Sequence, residues 1–266
     1  KRVALEDVEI FVGIPTLPIS YSDAMPILEA LEGPVAPPRW RGGLPITYHM
    51  GPGPAMLHLK LEFNWDIVPT YNIIAKMEGS EFPDQWVIRG NHHDAWVHGA
   101  ADPISGLVVE MEEARILSEY AKETGWRPKR TIVFAAWGSE EQGLIGSVEW
   151  VEEHALELRE KAVAYINTDG NGAGFLGAGG SHTLETFFDE IAHSVTDPIQ
   201  GMTAAERVRS RNLMSSNSLT RSRAEKSSHY YLSALGSGSD YSGFFQHLGI
   251  TSMNIGYGGE YGGGSY

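Results

Sequence analysis

The sequence predicts an α/β fold: a mixed, largely parallel central sheet with helices on both faces. Three observations carry this reading. Short apolar runs alternate with longer helical patterns along most of the chain. Runs such as "RTIVFAAW" and "AVAYINTD" are continuously apolar and rich in β-branched residues, as strands buried on both faces are. No repeat of fixed period competes with that alternation.

Residues 1–50 read as a connector or the tail of a separate module. "FVGIPTLPIS" and "GPVAPPRWRGGLPITYHMGPGP" are rich in Pro and Gly. Between them, "SYSDAMPILEALEG" predicts a short helix, capped by Ser22 or Asp23 and ended by Gly33. The main domain is expected over 51–266. Its first strand is "LHLKLEFNW", which alternates apolar and polar residues. "YNIIAKMEG" and "DQWVIRG" follow as strands.

"ISGLVVEMEEARILSEYAKE" predicts a helix that buries Leu107, Val108, Met111, Ile116 and Leu117 and leaves Glu112, Glu113 and Glu119 in solvent. "RTIVFAAW" is a strand, "GLIGSVEWVEEHALELREK" a helix, and "AVAYINTD" a strand again. "HTLETFFDEIAHSV" is helical, and "GFFQHLGI" leads into a last strand, "TSMNIGY". The segment 201–230 is polar and reads as a long surface loop. The tail "GYGGEYGGGSY" reads as flexible.

Composition narrows the chemistry. The formal net charge of −14 disfavours nucleic acid, whose phosphates draw on clustered Lys and Arg. No apolar run is long enough to span a bilayer. The chain has no Cys, so a metal site would use His, Asp and Glu.

Those residues gather in "RGNHHDAWVHGAADPISG" and at two later points. His92 and Asp94 follow one predicted strand, Glu140 and Glu141 the next, and Asp169 a third; Asp102 directly precedes a helix. Open α/β sheets place their sites at these carboxyl ends. A two-metal hydrolytic site needs a bridging carboxylate, further His or carboxylate ligands, and a carboxylate base free of metal. His92, Asp102, Glu141 and Asp169 fit as ligands. Asp94, two residues after His92 on an extended chain, can accept the second ring N–H of that histidine. Adjacent Glu140 and Glu141 point to different sides, so only one readily coordinates and the other is free to take a proton. Alone, each has a plainer reading. Asp102 before Pro103 could cap a helix, Asp169 before Gly170 could make a turn, and His93 and His98 read as surface or locally bonded residues.

"GNHHDAWVHGAADPISG", "FAAWGSEEQGLIGS" and "AYINTDGN" resemble the three metal-binding segments of the co-catalytic zinc peptidases. The similar branch is that of glutamate carboxypeptidase II and the transferrin receptor, and the likeness extends through "SGSDYSGFFQHLGI". The resemblance implies the zinc exopeptidase (phosphorylase/hydrolase-like) fold and two zinc ions per intact site. His92 and Asp169 would hold one ion and Glu141 the other. Asp102 would bridge them, Glu140 would be the general acid/base on a zinc-bound water, and Asp94 would orient His92. The substrate would be a peptide cleaved near one end. Residues 1–50 would be the end of a protease-associated (apical) domain, and the intact protein would be a homodimer acting outside the cytoplasm.

Two departures from the family qualify this. Its fifth ligand, a histidine, is expected next or nearly next after Tyr266, so a folded but inactive chain short of one ligand is one alternative. Asn254 and Gly256 stand where the glutamate-selective enzymes carry arginines, and Ser239 replaces an asparagine. Specificity for glutamate is therefore not expected, although Arg221 and Arg223 could compensate. A non-catalytic, receptor-like binding module is the other alternative; retention of His92, Asp102, Glu140, Glu141 and Asp169 favours the enzyme.

Overall fold

Helix α1 (Tyr21–Glu29) begins at Ser20, whose hydroxyl accepts the backbone N–H of Asp23 at 3.1 Å. The cap thus lies ahead of the expected Ser22 or Asp23, because Ser20 already has the extended backbone a cap requires. Gly33 does not end the helix; it lies in β1 (Glu32–Val35), which pairs antiparallel with β2 (His49–Gly51). The computed structural model describes residues 4, 7–9 and 13–260. The end of the Gly-rich tail, 261–266, lies outside the described residues.

The chain divides into two units, Lys1–Val68 and Pro69–Tyr266, a later division than the one expected at residue 50. The predicted strand "LHLKLEFNW" does not form; residues 52–72 contain no strand. Alternation specifies a face but does not supply a neighbouring strand, and Leu57 and Phe63 are exposed.

The second unit holds one six-stranded sheet in the order β3-β5-β4-β6-β8-β7. Its elements are β3 (Ile73–Met77), β4 (Phe82–His92), α2 (Ile104–Thr124), β5 (Arg130–Trp137), α3 (Ile145–Glu153), α4 (Ala155–Lys161), β6 (Ala162–Asn167), β7 (Gly174–Gly180), α5 (Glu185–Ser194), α6 (Ala204–Leu213), α7 (Ser218–Lys226) and β8 (Ser252–Gly259). The four inner strands run parallel. The edge strands β3 and β7 are antiparallel to their neighbours. The sheet is mixed and largely parallel, as expected.

Alternate residues of β4 serve opposite faces. Trp86 and Ile88 join a core with Val133, Trp137, Val151, Leu158, Tyr165 and Phe244. Arg89 and Asn91 face the other way, towards α2: the Arg89 Nε donates to Glu113 at 3.0 Å. A second core unites Leu176, Phe188, Val208, Tyr230 and Met253.

Four expectations need correction. The apolar stripe of α2 is not its buried face: Val108, Met111 and Ile116 are 50%, 63% and 50% exposed, while Gly106 and Glu110 are buried. Glu110 goes inside because its Oε1 accepts the backbone N–H of Ala135 at 3.0 Å. The helix predicted over 143–161 is two, broken at His154, whose backbone leaves the helical region. The polar stretch 201–230 is not a loop; it carries α6 and α7. Their starts are fixed by a Thr203–Glu206 capping box and by Asn217, which accepts the N–H groups of Leu219 and Thr220. Finally, "GFLGAGG" forms edge strand β7, which the sequence reading left out, and 256–259 of the tail extend β8.

Candidate active site

Register explains why distant residues meet. His92 pairs with Trp137 across β4 and β5, and Gly90 pairs with Asn167 across β4 and β6. The three strands therefore end near one level. The segments that follow them, near 93–103, 138–144 and 168–173, emerge side by side.

Asn91 ties two of these segments together. Its amide donates to the carbonyls of His92 at 2.7 Å and Pro103 at 3.1 Å, and its oxygen accepts from the Thr168 hydroxyl at 2.6 Å. Gly106, in the first turn of α2, lies against Asn91 and the Asp169 backbone, where any Cβ would collide. A side chain at 106 would push the helix away from the site.

A cavity of 320 Å³ opens at this point, lined by His92, Asp102, Glu140, Glu141 and Asp169 with Gly143, Leu144 and Gly238. The ring Nε2 of His92 lies 2.9 Å from Asp102 Oδ1 and 3.9 Å from Glu140 Oε2. Its Nδ1 lies 3.0 Å from the main-chain oxygen of Asp94. The Asp94 carboxylate, expected to take that ring N–H, stands back at 3.6 Å. It accepts the backbone N–H groups of Glu140 at 2.9 Å and Glu141 at 3.2 Å instead. Asp94 thus positions the Glu–Glu turn, a task that residue spacing alone did not reveal.

Asp102 does not cap α2, which starts at Ile104 without a side-chain cap. Its carboxylate is engaged with His92. Glu141 accepts the Trp96 N–H at 3.3 Å. Asp169 accepts from the Ser239 hydroxyl at 2.7 Å and the Asn167 amide at 3.2 Å. A buried relay stands behind it: Trp137 Nε1 donates to Tyr165 Oη at 2.9 Å, which donates to Asn167 Oδ1 at 2.7 Å. His93 meets the Tyr71 carbonyl at 2.9 Å and His98 is exposed, so neither joins the cavity.

The electrostatics follow from crowding acids in a sheltered place. Burial pushes Glu140 up to about 7, against the pull of His92 and with repulsion from Asp169, Glu141 and Asp102. Burial likewise raises Asp169, opposed by the Ser239 hydrogen bond. Burial would lower His92, but Glu140, Asp240, Asp169 and Asp102 outweigh it and raise the ring above its ordinary value. Asp240, in "SGSDY", is fully buried with neither carboxylate oxygen hydrogen-bonded; burial raises it to about 8, and neighbouring Ser147 only partly offsets this. Asn167 and Asp240 are residues that sequence reasoning did not place near the site. The spacing Asn-x-Asp was the available sign of the first.

The donor set, one imidazole with carboxylates, suits zinc by chemistry. Among the described residues, however, no three His, Asp or Glu side chains stand close enough together to hold a metal ion. Nε2 of His92 is engaged by Asp102 at 2.9 Å, and Glu141 and Asp169 line the same cavity.

Residues 72–260 match peptidase family M28, and the chain belongs to that family. It is 37% identical to aminopeptidase NAALADL1 of Mus musculus over 265 residues, 93% of this chain and 34% of that one. It is 36% identical to the probable glutamate carboxypeptidase AMP1 of Arabidopsis thaliana, covering 98% of this chain and 36% of the relative. A glutamate carboxypeptidase 2 homolog of Caenorhabditis briggsae is 38% identical over 92% of this chain and 32% of its own. These relatives bear out the branch that the motifs resemble. The chain spans about a third of their length. Among solved structures, a zinc aminopeptidase from Bacillus subtilis is similar over 71% of this chain and 40% of its own, with 24% identity and a TM-score of 0.45.

Proposed function

We propose that this chain is the catalytic core of a zinc-dependent exopeptidase that hydrolyses a peptide bond near a chain end. One observation carries the reading: His92, Asp102, Glu140, Glu141 and Asp169, drawn from separate segments, line a single cavity at the carboxyl ends of parallel strands.

His92 and Asp169 would hold one zinc ion and Glu141 the other, with Asp102 between them. Zinc supplies Lewis acidity towards the scissile carbonyl and makes water a nucleophile near neutral pH. The protein does the rest. Glu140 takes the proton of the attacking water at its carboxylate and returns it to the leaving amine. Asp94 fixes the turn from which Glu140 projects. Asn254 and Gly256, standing where the glutamate-selective enzymes carry arginines, place no cation there, which disfavours selectivity for glutamate. A homodimer working outside the cytoplasm, and a protease-associated origin for the first 50 residues, belong to the same proposal.

The second reading, a non-catalytic binding module, draws on the direct His92–Asp102 bond. Glu140→Gln decides between them. The catalytic reading expects unchanged zinc content and a loss of about 10²–10⁴ in turnover of an unblocked dipeptide. Equal activity in both forms removes Glu140 from the mechanism; no activity in either, with zinc bound, supports the binding module.

A further inference from the structure

A second cavity of 320 Å³ lies away from the acidic one, between α6, α7, the edge strand β7 and residues 227–233. Three arginines line it: Arg209, Arg211 and Arg223. No carboxylate does. In a chain of net charge −14 this is a local reversal of sign. Residues 204–226 carry six cations, Arg207, Arg209, Arg211, Arg221, Arg223 and Lys226, against two acids, Glu206 and Glu225.

The arginines are unequally committed. Arg209 turns its Nε to the carbonyls of Ala224 at 2.9 Å and Ser227 at 3.3 Å, which braces α6 against α7. Arg211 lies over the Phe175 ring at 4.8 Å and makes no ion pair or side-chain hydrogen bond among the described residues. The Arg223 side chain makes neither contact at all among them. Two of the arginines that line the cavity therefore keep their guanidinium donors free of side-chain partners among the described residues. Hydroxyls of Thr220 and Ser228 add neutral donors to the same wall. The volume matches the small end of ligand pockets, about 300–1,000 Å³. Planar guanidinium forks match the oxygens of carboxylates and phosphates two at a time.

We propose that this α6–α7 cavity binds a small, multiply charged oxyanion, a phosphate or carboxylate compound, through Arg211 and Arg223. The proposal stands independently of the peptidase reading, because the cavity shares no residue with the acidic one. It does share Gly177, Ala178 and Ser233 with a pocket of 310 Å³ that Asp169 also lines. The anion can therefore come from either of two sources: a free metabolite, or an acidic side chain of an extended peptide.

Isothermal titration of the chain with inorganic pyrophosphate at low ionic strength tests this. Saturable binding at one site is expected, weakening as salt rises. Arg211→Gln with Arg223→Gln should weaken it by at least about tenfold, and Arg223→Lys, which keeps the charge but loses the fork, should fall between the double variant and wild type. Both side chains are surface-exposed, so the variants keep the fold. The same titration with a Glu-containing tripeptide and its Gln counterpart separates the sources. A preference for Glu that the double variant abolishes identifies a peptide side chain; pyrophosphate binding without that preference identifies a free anion. No saturable pyrophosphate binding, or binding equally tight in the double variant, overturns the proposal.

Discussion

The carboxylate of Asp94 accepts the backbone N–H of Glu140 at 2.9 Å, joining the segment after β4 to the segment after β5. The same carboxylate holds the N–H of Glu141 at 3.2 Å. One side chain thus holds the backbone of two neighbouring acids. Asp94→Ala strands both N–H groups, at a cost of about 1–3 kcal/mol each if they stay dry. We expect a lower unfolding midpoint in urea and a fall in turnover of more than about tenfold. Unchanged turnover would mean that the Glu–Glu turn holds its shape alone.

Asn167 should matter as much as some of the proposed zinc ligands. It lies between Tyr165 and Asp169, and its amide also reaches Ser239 at 2.8 Å. Asn167→Ala frees the Asp169 carboxylate to rotate and leaves the Tyr165 hydroxyl without its acceptor. Loss of such a supporting partner commonly costs about 10–100-fold in metal affinity. Competition with a fluorescent zinc chelator measures it, and an affinity within twofold of wild type would contradict the role.

Gly106→Ala tests the closeness of α2 to the site. The added methyl would meet the Asn91 amide and the Asp169 backbone. Overpacking of this kind costs about 1–3 kcal/mol. Zinc affinity should fall together with stability, because the collision moves Asp169. A variant as stable as wild type would show slack at this contact.

Much of this arrangement was legible in the sequence, and the gaps have physical causes. β5 and β6 stood out because strands buried on both faces read as continuous apolar runs, and β4 did so through its short apolar centre "WVI". The site acids were legible through their place just after those runs. β7 was not, because "GFLGAGG" lacks both alternation and bulk; its glycines admit close neighbours, as Gly179 admits Ser233. α6 and α7 were hidden by their Arg and Ser content, although Thr203–Glu206 already spelled a helix start. The buried side of α2 was misread because Glu110 is held by a backbone N–H, a partner no periodicity reveals.

Glu110 gives a pH signature away from the acidic cavity. Burial raises it to about 8 from 4.5, against the opposing effects of Arg89 on β4 and the Ala135 N–H and with repulsion from Glu113 and Asp240. Between those values the folded chain holds a proton that the unfolded chain releases. Its contribution to stability is therefore complete below about pH 4.5 and is lost as pH rises through about 8. The loss is at most about 1.4 kcal/mol per pH unit. Glu110→Gln should remove this slope and be more stable than wild type at pH 9, with little difference at pH 4.5. Urea unfolding across that range measures the difference; parallel curves would contradict the assignment.

The convergence of His92, Asp102, Glu141 and Asp169 on shared zinc is tested most directly by anomalous diffraction at the zinc edge, from crystals of the protein grown with zinc. The account predicts anomalous density inside the cavity, against His92, Asp102 and Asp169 and extending towards Glu141. An empty cavity, or zinc held only elsewhere on the molecule, would contradict it.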